Sequence, residues 1–139
     1  MKRSKNRLAL AAGLLVFVAA CVGPVIILPP PDAPDGVDTT AEGLAVYCGV
    51  IRDVEARDAH VVLINIDDPA QPAVIENTDG CGCYENVAIP AAPTDRIRLR
   101  YLRAGDDSVS QSVEFLADLS DQPPPVPTTC TPCANVTCP

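Results

Sequence analysis

Between residues 45 and 120 the chain alternates apolar and polar positions with a period of two, the signature of strands with one buried face. The clearest stretch is Arg96-Ile97-Arg98-Leu99-Arg100-Tyr101, which puts Ile97, Leu99 and Tyr101 on one side and three arginines on the other. Further strands are predicted over Leu44–Ile51, Ala59–Ile66, Ala73–Glu76 and Tyr84–Ile89. A last one falls in Val109–Leu119, with Val113, Phe115 and Ala117 on one face. Asn77-Thr78-Asp79-Gly80 reads as a turn, and Pro72 and Pro90 bound their neighbouring strands. No helical period runs through this region. Short strands divided by turns predict an all-β fold, a small antiparallel β-sandwich.

The flanks are different. Residues 1–20 carry a basic start (Lys2, Arg3, Lys5, Arg7) and an uncharged apolar run from Leu8 to Ala20, as an export signal does. Val18-Ala19-Ala20-Cys21 resembles the lipobox of bacterial lipoproteins: a branched apolar residue, two small residues, then cysteine. The resemblance implies a diacylglyceryl group on the Cys21 sulfur, cleavage before it, and N-acylation, for instance by palmitate, of the new terminus. Val22 rather than Asp follows, which by the same resemblance implies the outer membrane of a Gram-negative cell envelope. The competing readings are a plain secretory signal and a transmembrane anchor, since Leu8–Leu28 is long enough to span. Residues 21–44, rich in Pro and Asp, are expected to form an extended tether that lifts the domain off the membrane. Residues 121–139 form a Pro/Cys-rich tail behind the stiff Pro123-Pro124-Pro125 run.

Charge narrows the function classes. The formal net charge of the 139-residue chain is −8, but the basic cluster at the start conceals a more acidic remainder. From Cys21 onward there are six arginines, no lysine and 18 acids, a net charge of −12. Such a chain repels phosphate, so nucleic acid is excluded as a partner. The one concentrated positive feature is Arg96, Arg98 and Arg100. They form either a contact for an anionic polymer or acidic protein, or cross-strand pairs with acids such as Glu76 and Glu114. The single histidine, His60, falls on the water-facing side of its strand. Asp67-Asp68 and Asp106-Asp107 sit beside turn formers, where solvated Asp is common. There is no phosphate loop, nucleophile elbow, zinc-protease helix or EF-hand. Neither a catalytic constellation nor a cofactor is expected.

Once Cys21 is set aside for lipid, six cysteines remain: Cys48, Cys81, Cys83, Cys130, Cys133 and Cys138. An even number in an exported chain points to disulfides, and a folded core of about 75 residues benefits from them. Cys81 and Cys83 share a strand face, which makes them poor partners for each other and candidates for Cys48 and a tail cysteine. A Cys48 bridge to Cys81 or Cys83 is therefore expected, with Cys130-x-x-Cys133 closing locally or with Cys138. The rival is a metal-handling or redox lipoprotein, since Cys-x-Cys and Cys-x-x-Cys are thiolate spacings suited to zinc or Cu(I).

Taken in order, five pieces resemble the carboxypeptidase-regulatory-like domains. They are Gly49-Val50-Ile51-Arg52-Asp53, Ala59-His60-Val61-Val62-Leu63, Asn77-Thr78-Asp79-Gly80, Tyr84-Glu85-Asn86-Val87 and the Ile97–Tyr101 strand leading to Gly105. Gly82 departs from the pattern, standing where the first aromatic of a strand is usual. The resemblance implies the transthyretin-like (prealbumin-like) sandwich, with an immunoglobulin-like sandwich as the alternative. It also implies a non-catalytic module that binds or scaffolds. The expected partners are the membrane, through the lipid, and another envelope protein or a polysaccharide.

Overall fold

The computed structural model describes residues 28–39, 42–52, 58–105, 108–123 and 133–138. The expected export signal, the Val18–Cys21 box, Asp106-Asp107 and Cys130 lie outside them.

Among the described residues seven strands form two antiparallel sheets, as the alternation predicts. β1 (Gly36–Thr39), β2 (Leu44–Val50) and β5 (Cys83–Pro90) make a three-stranded sheet in the order β1-β2-β5. β3 (His60–Asn65), β4 (Val74–Asn77), β6 (Arg96–Leu102) and β7 (Val113–Leu116) make a four-stranded sheet in the order β4-β3-β6-β7. The inner faces meet in one core. Val61, Leu63, Ile97, Leu99, Tyr101 and Phe115 come from the larger sheet, and Ala45, Tyr47, Tyr84, Val87 and Ile89 from the smaller. Tyr47 and Phe115 pack edge to face, with ring centroids 5.5 Å apart. The Tyr47 hydroxyl donates to the carbonyl of Ala117 at 2.8 Å, so its one polar atom is satisfied inside the core.

Two features depart from simple alternation. The first is the segment expected to be a tether, part of which belongs to the domain. Leu28 is 2% exposed within the core, forms a parallel bridge with Ser110, and accepts from the Gln111 amide at 3.1 Å. Val37 joins the same core, and Gly36–Thr39 pair with Cys48–Ala45. The folded unit thus takes in residues from 28, not from 45. The strand was hidden because its four residues, Gly-Val-Asp-Thr, hold one large apolar side chain among turn formers.

The second is a β-bulge. Tyr47 pairs with Val87 and Gly49 with Tyr84, so Glu85 and Asn86 together oppose Cys48. Asn86 takes the left-handed conformation, φ 58°. The extra residue reverses the parity of β5, which lets Tyr84 point inward along with Val87 and Ile89. The Tyr84 ring then lies over Gly49, where a Cβ would come within 2.6 Å of its hydroxyl oxygen. Only glycine leaves room for it.

The strand registers also define the two ends of the sandwich. At one end His60 meets Asn77 and Leu102, and Val50 meets Cys83. At the other, Asn65 meets Ile97 and Leu44 meets Pro90.

Candidate functional site at the cystine-bearing end

The densest chemistry lies in the short turn between β4 and β5. Thr78 begins it, with its hydroxyl accepting from the Ala59 amide at 2.9 Å and donating to the Ala59 carbonyl at 3.1 Å. Asp79 then organises the turn: one carboxylate oxygen accepts from the amides of Cys81 (2.8 Å) and Cys83 (2.9 Å). Its carbonyl accepts from the Gly82 amide at 2.9 Å, and its amide donates to the Cys83 carbonyl at 2.9 Å. Gly82 has φ 78° and lies directly against the Ile51 carbonyl, leaving no space for a side chain. This explains why an aromatic residue is missing there.

The turn presents two cysteines, and both bond to the tail. Cys81 pairs with Cys138, with Cα atoms 5.1 Å apart, and Cys83 pairs with Cys133, at 5.8 Å. The expected link from Cys48 to Cys81 or Cys83 is not formed. In register, Cys83 faces Val50 and Cys48 faces the bulge, so the two cysteines are related diagonally. Diagonal neighbours across a sheet are about 7–8 Å apart, beyond the reach of a disulfide. The local closure expected for Cys133 is likewise replaced by the link to Cys83. Cys48 is itself disulfide-bonded, with its partner outside the described residues. Cys48 and Cys83 point away from the core, as the parity of their strands requires, yet each is only 3% exposed. The tail reaches this face through a single 3-10 turn, Cys133–Asn135, where the Cys133 amide donates to Glu85 at 2.9 Å.

The Asp79 carboxylate and the sulfurs of Cys83 and Cys133 lie within 4.8 Å of one another. Those sulfurs are bonded to each other, and it is the thiolate that ligates metal. In the oxidised chain this cluster is therefore a capped turn with a cystine. It could serve as a ligand set only after reduction.

The incoming chain is secured at the same end. Arg52 reaches Asp32 and Asp35, each at 3.0 Å, and Asp35 also accepts from the Val50 amide at 3.0 Å. The hydrogen bond to Asp35, then that to Asp32, raises the Arg52 pKa above its ordinary value. Burial, reinforced by the charge of Asp35, pushes the Tyr84 hydroxyl well above the usual tyrosine range. Sequence reasoning missed Arg52, because its partners sit in a stretch that looked like linker.

The arginine stripe lies on the outer face of the four-stranded sheet. Arg98 forms a two-pronged contact with Glu114, 2.7 and 3.0 Å, directly opposite in register. Glu76 is not available to the stripe: it pairs with Val61 and so lies on the other side of the sheet. Arg96 is exposed, and Arg100 buries its Nε without a hydrogen-bond partner among the described residues. On the same face the His60 ring bonds to Asn77 across the strand pair.

The opposite end is acidic but self-satisfied. Asn65, buried between the sheets, donates to the Pro90 carbonyl (3.2 Å) and to Asp95 (2.9 Å). Asp67 accepts from the Arg96 amide, and Asp68 from the Ala70 amide and the Gln71 side chain. The Asp118 pKa is lowered, first by the Ser120 hydroxyl and then by the Ser120 amide. Among the described residues no helix is long and apolar enough to cross a membrane.

No protein-family model matches the chain, and none of the curated proteins or solved structures matches it either.

Proposed function

We propose that this is a non-enzymatic lipoprotein of the cell envelope, whose β-sandwich acts as a binding or structural module. The observation that carries the reading is the conjunction of the Val18-Ala19-Ala20-Cys21 box with a domain whose tail is stapled by two cystines. Structural disulfides persist in exported proteins and are rare in reducing compartments. A non-enzymatic role is supported by what the polar side chains do. Asp79, Asp95, Asp67 and Asp118 cap backbone amides or close turns, and His60 pairs with Asn77 on an outer sheet face.

Intact-mass analysis of the mature protein tests the reading. A diacylglyceryl adduct on Cys21, with uncleaved precursor accumulating in Cys21→Ser, is the expected result. A mature chain with no lipid on Cys21 would reduce it to a secreted domain.

The second reading is a metal-handling or redox lipoprotein, favoured by the Asp79, Cys83 and Cys133 cluster. It requires free thiols in protein taken from its own compartment, together with stoichiometric zinc or copper. Thiol titration under denaturing, non-reducing conditions distinguishes the two.

A further inference from the structure

We infer that the anchored protein stands with its cystine-bearing end against the lipid surface and its Asn65–Asp95 end directed outward. The inference rests on the lipidation of Cys21 and adds an orientation to it. Its basis is the docking of Leu28. A freely extended tether through residue 44 would let the domain tumble well away from the bilayer. Instead the chain is fixed from Leu28, which is buried in the core and hydrogen-bonded through its carbonyl to Gln111. Only residues 22–27 separate Cys21 from this point. Fully extended, that link spans at most about 25 Å. It includes Val22, Val25, Ile26 and Ile27, aliphatic side chains that favour an interface over water.

The position of Leu28 within the sandwich sets which end is held down. Its partner Ser110 follows Val109, which bridges Leu102, and the Ser110 amide donates to the Tyr101 carbonyl. Leu102 in turn lies opposite His60, at the end where β3 starts and β4 and β6 finish. The same end carries the Cys81 and Cys83 bridges and the Arg52 contacts with Asp32 and Asp35. The link from the lipid, the entry segment and the stapled tail thus converge on one end. The sandwich extends away from it by the length of its strands, about 26 Å for the eight-residue β5. Val109, one of two large apolar side chains left exposed among the described residues, is also at this end. The nearby acids Asp32, Asp35, Asp58 and Asp79 give no attraction to an anionic surface, so the orientation comes from the short link.

The chain has no tryptophan, so single-tryptophan variants report without background. Val109→Trp marks the anchored end and Ala92→Trp, in the exposed β5–β6 turn, marks the far end. The full lipidated protein is placed in phosphatidylcholine vesicles containing a headgroup-dansylated lipid. Energy transfer to dansyl is then compared, with the lipid on Cys21 verified by mass and the fold by circular dichroism.

Transfer from position 109 is expected to be at least about twofold more efficient than from position 92, given the strand length between them. Equal transfer, or stronger transfer from position 92, in verified lipidated protein overturns the orientation and leaves the anchor intact. Absence of the lipid overturns both. Inserting about 20 Gly/Ser residues after Val22 lets the domain wander and should abolish the contrast. A contrast that survives the insertion would refute the short link as its cause.

Discussion

The two sheets of the sandwich are built on different terms. The four-stranded sheet follows its own alternation: β6 presents Ile97, Leu99 and Tyr101 inward and three arginines outward, and the outer face, apart from the buried Val62 opposite Arg100, remains in contact with water. Its outward groups are held by cross-strand pairs such as Arg98–Glu114 and His60–Asn77. The three-stranded sheet is less regular. One of its strands comes from a Pro/Asp-rich stretch, its central pairing contains a bulge, and its outward cysteines are covered. Apolar alternation is sufficient where a sheet has four partners in register. The smaller sheet depends in addition on a covalently attached tail and on a segment recruited from upstream.

Breaking the cystines should have the largest effect. The Cys83–Cys133 bridge closes a loop of sequence separation 50, which the chain-entropy model values at about 4 kcal/mol. Cys81–Cys138 lies just outside it and closes little additional chain, so its increment is smaller. Reduction is expected to lower the melting temperature by roughly 15–30 °C. Below melting, hydrogen exchange should rise earlier in β2 and β5 than in β3 and β6. Uniform exchange in the two sheets would contradict the contrast drawn between them. Disulfide mapping sharpens the same point: if Cys21 carries a thioether, Cys130 is the cysteine left to pair with Cys48, and no free thiol should be found.

Leu28→Ala comes next. Truncating a buried leucine typically costs about 2–5 kcal/mol, and Leu28 is 2% exposed, so urea denaturation should register a loss in this range. A negligible loss would mean that the entry segment does not contribute to the core, and would remove the short link as well.

Alkaline pH tests the shared interior. Burial raises the pKa of Tyr47 and Tyr84 above the ordinary tyrosine value of 10.0. Below the unfolded pKa both states keep their phenolic protons and stability is unaffected. Above it the unfolded chain ionises while the folded one does not, so stability falls as pH rises. Chemical denaturation at about pH 9 and about pH 11 should show a lower midpoint at the higher value, with tyrosinate absorbance appearing on unfolding. Tyr47→Phe, which leaves the Ala117 carbonyl without its donor, should cost about 1–2 kcal/mol at neutral pH.

Arg98→Ala should have the smallest effect. Arg98 and Glu114 are 42% and 38% exposed, and a surface pair of this kind contributes about 0.2–1 kcal/mol. A larger loss would indicate that the outer face of the four-stranded sheet is more than solvated surface.

Much of the fold was legible because alternation is local. β2, β3, β4, β5 and β6 fall where the apolar period put them, and Val113, Phe115 and Ala117 share a face as expected. The predicted strand over Val109–Leu119 is shorter, Val113–Leu116, with Val109 and Ser110 forming isolated bridges ahead of it. β1 was not legible, since one valine among Gly, Asp and Thr carries no period. The candidate site was legible only as a list of cysteines. Parity correctly placed Cys48 and Cys83 off the core, whereas Cys81, expected on the same strand face as Cys83, lies in the turn before β5, and parity is silent about which residues lie within a disulfide's reach.

By itself, then, the amino-acid order determined what depends on near neighbours along the chain: strand periods, turn positions, outward cysteines, the acidic surface and the Val18–Cys21 box. Tertiary structure alone decided what depends on distance between remote segments. The register past the bulge at Glu85–Asn86 set Cys83 opposite Val50, diagonal to Cys48, the tail supplied Cys133 and Cys138 instead, and Leu28 closed the core beside Ser110. A period of two specifies the face on which a side chain lies. Only the register between strands specifies what it meets there.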